Sequence, residues 1–221
     1  MSNKTVLVLG ATGQTGQRVV RNLVAKGFPV RVLVRNSQKA EALRGPQVEI
    51  RIGDLASEAD LHAALEGVGA VISALGGTAE ARPEDREFIE FRVFETLEKL
   101  GAEQQLDHIV LCSSMGTEAP ESLPFITAVL RMKRKGEQVL EQGRVPYTIV
   151  RPGGLVNDPG GQDVAVARHL TVGGRVSRDD VAEVLVQAVL QPEARNRIVE
   201  MVQQEGAGKA NRPHLFASES S

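Results

Sequence analysis

The heptapeptide Gly10-Ala-Thr-Gly13-Gln-Thr-Gly16 follows directly on the apolar run Thr5 to Leu9 and opens a segment in which Gly16, Val19, Val20, Leu23 and Val24 share one helical face. No other stretch limits the fold so tightly. A near-continuous run rich in β-branched residues reads as a strand buried on both faces, which is how parallel strands behave. Gly27, with Pro29 just beyond, ends the helix. Glycines between such a strand and helix allow a tight turn, let a pyrophosphate approach the backbone, and let the helix lie close to the strand, while the helix N-terminus favours the anion. The spacing is GxxGxxG rather than GxGxxG. Its weight comes from strand, loop and helix occurring together.

The alternation continues along the chain. Further strands are expected at Val30 to Val34, Val48 to Ile52, Ala70 to Ala74, Ile109 to Ser113, Tyr147 to Val150 and Ile198 to Val202, for about seven in all. Helices are expected between them. Ser37 to Arg44 is short, Ser57 to Leu65 is apolar at Leu61 and Leu65, and Pro83 to Gly101 sets Ile89, Val93, Leu97 and Leu100 on one stripe. Leu123 to Gln142 and Arg178 to Leu190 follow, the last with a Ser177 cap and with Asp179 and Asp180 in its first turn. Parallel strands need helical crossovers, so the pattern predicts an α/β fold: one doubly wound parallel sheet with helices on both faces. Its ligand crevice then lies at the carboxyl ends of the strands, beside the first βα turn.

The 221 residues suit one domain, expected over residues 1–202. Residues 152–176, rich in glycine, are expected to form a loop over the crevice, too short for a substrate domain, and 203–221 a polar mobile tail. A net charge of -2 offers no basic excess for nucleic acid, and Arg131-Met-Lys133-Arg134-Lys135 lacks interleaved aromatics. The first residues are too short an apolar run for a membrane span or signal peptide, and a single cysteine, Cys112, excludes an internal disulfide; both point to the cytoplasm. His62, His108, His169 and His214 are scattered, so no metal site is expected. Cys112, among Ile109, Val110 and Leu111, reads as a small buried hydrophobe.

Arg35-Asn36 closes the second strand, where an acid accepts hydrogen bonds from a ribose 2′-hydroxyl and a guanidinium pairs with a 2′-phosphate. This predicts a preference for NADP(H) over NAD(H); the alternative is a solvated arginine at a strand end. Together with Gly53-Asp54-Leu55, Ala70-Val-Ile-Ser-Ala-Leu-Gly76, Val110-Leu-Cys-Ser-Ser114 and Tyr147-Thr-Ile-Val-Arg-Pro-Gly153, these motifs resemble the atypical short-chain dehydrogenase/reductase group with an NAD(P)H-binding Rossmann domain. That group includes biliverdin/flavin reductase-like and NmrA-like proteins, and the likeness runs from about residue 4 to 202. It implies that Gly10, Thr12, Gly13, Gln14, Thr15, Gly16, Arg35 and Asn36 hold the cofactor, and that Asp54 and Leu55 contact the adenine. It further implies that Ala74, Leu75 and Gly76 run along the ribose and pyrophosphate and that Pro152 and Gly153 back the nicotinamide. Asp54 equally reads as a cap ahead of Ser57.

In active members of the resembled group, a serine after the fifth strand and a tyrosine four residues before a lysine form a proton relay. Here Ser113 and Ser114 are present, and a Lys-x-x-x-Glu pattern gives Lys133 and Glu137, but Val129 stands at the tyrosine position. Tyr147, the one tyrosine, lies inside a strand and reads as a packed aromatic. Lys133 reads either as a contact to the nicotinamide ribose or as part of a solvated basic face. With the usual acid missing, the resemblance points to an NADPH-dependent reductase of a small conjugated acceptor (a flavin, quinone or tetrapyrrole), with Ser113, Ser114 and Lys133 as its catalytic set. The alternative is a non-catalytic NADP-sensing regulator or assembly factor. A weaker one is an epimerase or isomerase, against which the short 152–176 segment counts. A monomer or weak homodimer is expected.

Overall fold

The computed structural model describes residues 4–76 and 82–217. In chain order the elements are β1 (Thr5–Leu9), α1 (Gln14–Ala25), β2 (Val30–Val34), β3 (Val48–Ile52), α2 (Glu58–Leu65), β4 (Val68–Ser73), α3 (Pro83–Glu87), α4 (Val93–Glu103), β5 (His108–Cys112) and α5 (Thr127–Gln142). They continue with β6 (Tyr147–Pro152), β7 (Gly154–Val156), β8 (Val164–Ala167), β9 (Arg175–Ser177), α6 (Arg178–Leu190) and β10 (Arg197–Gln203). The main sheet has eight strands in the order β3-β2-β1-β4-β5-β6-β10-β8, one more than expected. All neighbours are parallel except β8, which runs antiparallel to β10 at the edge. From β1 the chain winds outward through β2 and β3, then returns to β4 on the other side. The order therefore reverses between β1 and β4, and the crevice of a doubly wound sheet opens there.

Side-chain alternation builds two cores. Val6, Val8, Val30, Val32, Ile72, Val110 and Val150 face the layer of α1 and α6. Leu7, Leu9, Leu33, Val71, Ile109, Leu111 and Ile149 face α2, α4 and α5. Strands buried on both faces have no polar side to expose, which explains their unbroken apolar runs. Arg31 is the exception on β2: it is buried, and its guanidinium bonds Glu49 and the carbonyls of Ala64 and Glu66, which end α2.

Five expectations are corrected. Residues 152–176 are not an open loop: β7 pairs with β9 in a second small sheet, and β8 extends the main one. Residues 203–217 are not a loose polar tail. Lys209 bridges Asp163, and Ala210, Leu215 and Phe216 are buried in the α1/α6 core, so a few apolar residues anchor an otherwise polar stretch; residues 218–221 lie outside the described part. The helix expected over Pro83 to Gly101 is broken by a π turn at Phe88–Arg92. The extra residue shifts the phase of the stripe, so that Glu90 rather than Ile89 is buried. The short helix after β2 is a 3-10 turn at Gln38–Leu43, and α5 begins four residues later than expected because Pro120–Ser122 forms its own 3-10 turn and Pro124 follows.

Replacing Phe216 with alanine is expected to lower unfolding free energy by about 3 kcal/mol, as for a buried core aromatic. Urea titration measures it, and a loss below about 0.5 kcal/mol, typical of surface sites, would show that the C-terminal segment is not part of the core.

Candidate functional site

Steric closeness shapes the first βα turn. Gly10 has φ +75°, and a Cβ there would lie 2.7 Å from the carbonyl oxygen of Ala74. A Cβ on Gly16 would collide with the Gly10 carbonyl. The loop is thus pressed between the start of α1 and the end of β4, where the Ala74 amide donates to the Leu9 carbonyl at 2.9 Å. Gly13 is the N-cap of α1, with no side-chain cap and no acidic residue in the first turn. That leaves a helix N-terminus whose first N–H groups are taken by no capping side chain, an arrangement suited to a phosphate anion. Thr15 is buried, Thr12 half-buried, and Gln14 exposed.

The neighbouring strand ends add the rest. Arg35 and Asn36 are exposed after β2, and Asn36 accepts from the Gln38 amide at 2.8 Å. The Asp85 carboxyl is held below its usual range chiefly by its hydrogen bond to Arg82, with the field of Arg35 adding to it. After β3, Asp54 is exposed and accepts from the Ala56 amide at 3.0 Å, while Leu55 packs on the second core. The cap of α2 is Ser57, which accepts from the Asp60 amide; Asp54 holds the turn before it. Leu75 packs on the core and Gly76 is exposed. Pro152 closes β6, and Gly153 donates its N–H to Met201 and leaves no room for a side chain against Gly174.

Buried charge dominates the β5 end. Ser113 is buried and its hydroxyl donates to Glu137 Oε1 at 2.6 Å. Glu137, fully buried on α5, also accepts from Thr117 Oγ1, from Arg151 Nε at 3.0 Å and from Arg151 Nη2 at 2.8 Å. Arg151, on β6, reaches Glu118 with its remaining terminal nitrogen at 2.7 Å. Burial opposes the Arg151 charge, but pairing with Glu137 and Glu118 outweighs it and raises its pKa. Ser114 is half-buried and donates to the Met115 carbonyl. Lys133 Nζ lies 2.7 Å from Glu90 Oε2. Burial raises the Cys112 thiol to about 11, so it is protonated at neutral pH. Tyr147 begins β6 at the opposite end of the sheet from the crevice and packs against the second core.

A family model described as NAD(P)H-binding matches residues 10–192, from the glycine turn to the end of α6. The chain belongs to this NAD(P)H-binding family, in the atypical short-chain dehydrogenase/reductase group. It is 36% identical to an uncharacterized chloroplastic protein of Arabidopsis thaliana, over 99% of this chain and 83% of that one. It is 32% identical to sanguinarine reductase of Eschscholzia californica, over 94% of this chain and 92% of that one. Among solved structures, a putative NAD-dependent epimerase/dehydratase from Bacillus halodurans superposes with TM-score 0.87 at 26% identity, over 94% and 97% of the two chains.

For an NAD(P)H-binding chain the glycine turn fits the group: with no room for a β-carbon at Gly10 against Ala74 or at Gly16 against Gly10, the turn stays tight and sets the uncapped N-terminus of α1 beside the strand end, where a pyrophosphate would be held. The expected catalytic set is altered. Ser113 does not offer a free hydroxyl, because Glu137 takes it, and Lys133 is tied to Glu90 rather than forming a solvated face. Glu90, Glu118 and Arg151 escaped the sequence reading. Arg151, a charge within the apolar strand Ile149-Val150-Arg151-Pro152, was the one available signal, since such a charge needs a buried partner. Among the described residues no cluster of three or more His, Cys, Asp or Glu side chains is placed to hold a metal, and no helix is long and apolar enough to cross a membrane.

Converting Glu137 to alanine takes from Arg151 its buried partner and leaves only the exposed Glu118, and a loss of about 3 kcal/mol is expected in chemical denaturation. Glu121→Ala, which breaks the exposed pair with Arg131, is expected to change nothing measurable. Equal effects from the two would contradict the role given to the buried network.

Proposed function

We propose that the chain is an NADPH-dependent reductase of a small conjugated acceptor such as a flavin, quinone or tetrapyrrole. The observation that carries this reading is the state of the β5 end: Ser113 is bonded to Glu137, Lys133 is paired with Glu90, and Val129 stands where a proton-donating phenol would be needed. A site without that acid suits acceptors whose reduced form takes its proton from solvent. The relative named sanguinarine reductase supports the same class of reaction. When bound, the reduced nicotinamide supplies a hydride. The chain contributes binding and orientation: Gly10, Thr12, Gly13, Gln14, Thr15 and Gly16 at the pyrophosphate, Asp54, Leu55, Ala74, Leu75 and Gly76 along the adenosine and ribose, and Pro152 and Gly153 behind the nicotinamide. Such positioning is itself a large part of a rate acceleration.

Arg35, with Asn36 beside it, gives the proposed preference for NADP(H). Its guanidinium is exposed at the strand end, where a 2′-phosphate pairs with it bidentately. The same committed Ser113 and Lys133 also favour a second reading, a nucleotide-binding regulator that senses NADP state and performs no chemistry.

NADPH oxidation followed with FMN, menadione and biliverdin separates the two. Turnover with at least one acceptor is expected, and tight NADPH binding without turnover of any would leave the regulator. Arg35→Asp is expected to raise the NADPH dissociation constant tenfold or more, about the strength of one charge-assisted pair, with little effect on NADH. An unchanged NADPH constant would remove the basis for the preference.

A further inference from the structure

The π turn at Phe88–Arg92 has no counterpart in the apolar pattern around it, and it turns a carboxylate, Glu90, into the core. Glu90 retains 4% of its side-chain exposure and Lys133 13%, and the two are 2.7 Å apart. A buried ion pair is weak evidence for stability, because desolvation offsets most of the attraction. Two further features hold this one in place. Gly136, one turn after Lys133 on the same face of α5, leaves no space between the helix and the Glu90 carbonyl, so α5 sits directly on the π turn. Lys135 and Arg92 meanwhile lie over the Phe91 ring, 5.5 and 4.7 Å from its centroid, fixing the outer side of the same turn. π turns of this kind are concentrated at functional sites.

Location gives the pair a task. The fields of both Lys133 and Glu90 reach the Cys112 thiol, which closes β5 at the carboxyl edge of the sheet. Arg35 marks the adenosine side of the crevice beyond β2, and the phosphate cradle is at β1. A dinucleotide crossing the switch point therefore directs its other half over β4 and β5, towards Lys133. An ammonium has three donors. One goes to Glu90, and the bond to a single carboxylate is compatible with a further bond from the same ammonium to a ligand.

We propose that Glu90 is a positioning residue: it fixes the Lys133 ammonium at the nicotinamide end of the cofactor, and the Glu90–Lys133 pair is the polar anchor of that end in a site that has valine at position 129. The inference rests on the NADPH reading of the crevice but not on the identity of any acceptor. It makes the nicotinamide half, and not the adenosine half, of the ligand sensitive to a carboxylate that itself touches neither.

Two ligands test it, NADPH and 2′-phospho-ADP-ribose, which keeps the adenosine and pyrophosphate but lacks nicotinamide. Calorimetric titration of Glu90→Gln is expected to show NADPH weakened about tenfold, with 2′-phospho-ADP-ribose unchanged within twofold and Glu90→Asp recovering most of the loss. Lys133→Arg keeps the charge and the pair but moves the donors, so it is expected to fold and to show the same nicotinamide-specific loss even if Glu90→Gln does not fold. Equal weakening of both ligands would reduce the pair to a structural brace, and no weakening of either would overturn the proposal. Failure of the wild-type chain to bind either ligand would instead overturn the NADPH reading, and absence of acceptor turnover with the NADPH-specific loss intact would remove the reductase but keep the anchor.

Discussion

The contact between Gly16 and the Gly10 carbonyl is the constraint on which the remaining structure depends. It brings α1 against the end of β1, seats the turn against Ala74 after β4, and thereby fixes where the sheet reverses. A side chain at either glycine would separate helix from strand and strand from strand. The uncapped N-terminus of α1 follows from the same requirement, since a glycine at the cap position has no side-chain oxygen to bond the first amides of its helix and leaves them for a ligand.

A second level of organisation stands on the far side of the crevice. β5, α5 and β6 are joined by buried charge as well as by apolar packing: Arg151 reaches across from β6 to Glu137 on α5, and Ser113 and Thr117 complete the carboxylate's hydrogen bonds. Removing Glu137 would leave Arg151 paired with only the exposed Glu118, and removing Arg151 would leave Glu137 paired with only the partly exposed Arg134, so the network ties the loop after β5 to α5 and β6 through groups that are costly to lose singly. Its consequence is chemical. The Ser113 hydroxyl donates to Glu137 and the Lys133 ammonium to Glu90, the pairing on which the proposed emphasis on binding and orientation rests.

The fold was legible because its signals are local. Strand runs such as Thr5 to Leu9 and Val30 to Val34, and the glycines that follow β1, announce parallel strands and a phosphate turn without knowledge of distant contacts. Edge features were not. β8 needs β10 as a template, β7 and β9 are three residues each, and Leu215 and Phe216 gain meaning only when the α1/α6 layer is there to receive them. The site divided in the same way. Backbone-driven positions followed from spacing, whereas Glu90 depends on a π turn that shifts a helical stripe by one residue, an event with no periodic signature. Ser113 could be found but not its partner, because residues 24 apart in sequence meet only through the β5–α5 crossover.

The proposed ligand site lies at the carboxyl edge of the sheet, centred on the glycine turn. A cavity of about 550 Å³ exists at the other edge, lined by Glu98, Gly101, Leu106, Gly143 and Val145 among others. Hydrogen–deuterium exchange with and without NADPH distinguishes them directly. Slowed exchange is expected at residues 10–17, at 74–76 and around 113–114, with none at 98–106 or 142–145. Protection confined to the second set, with the glycine turn unchanged, would contradict it.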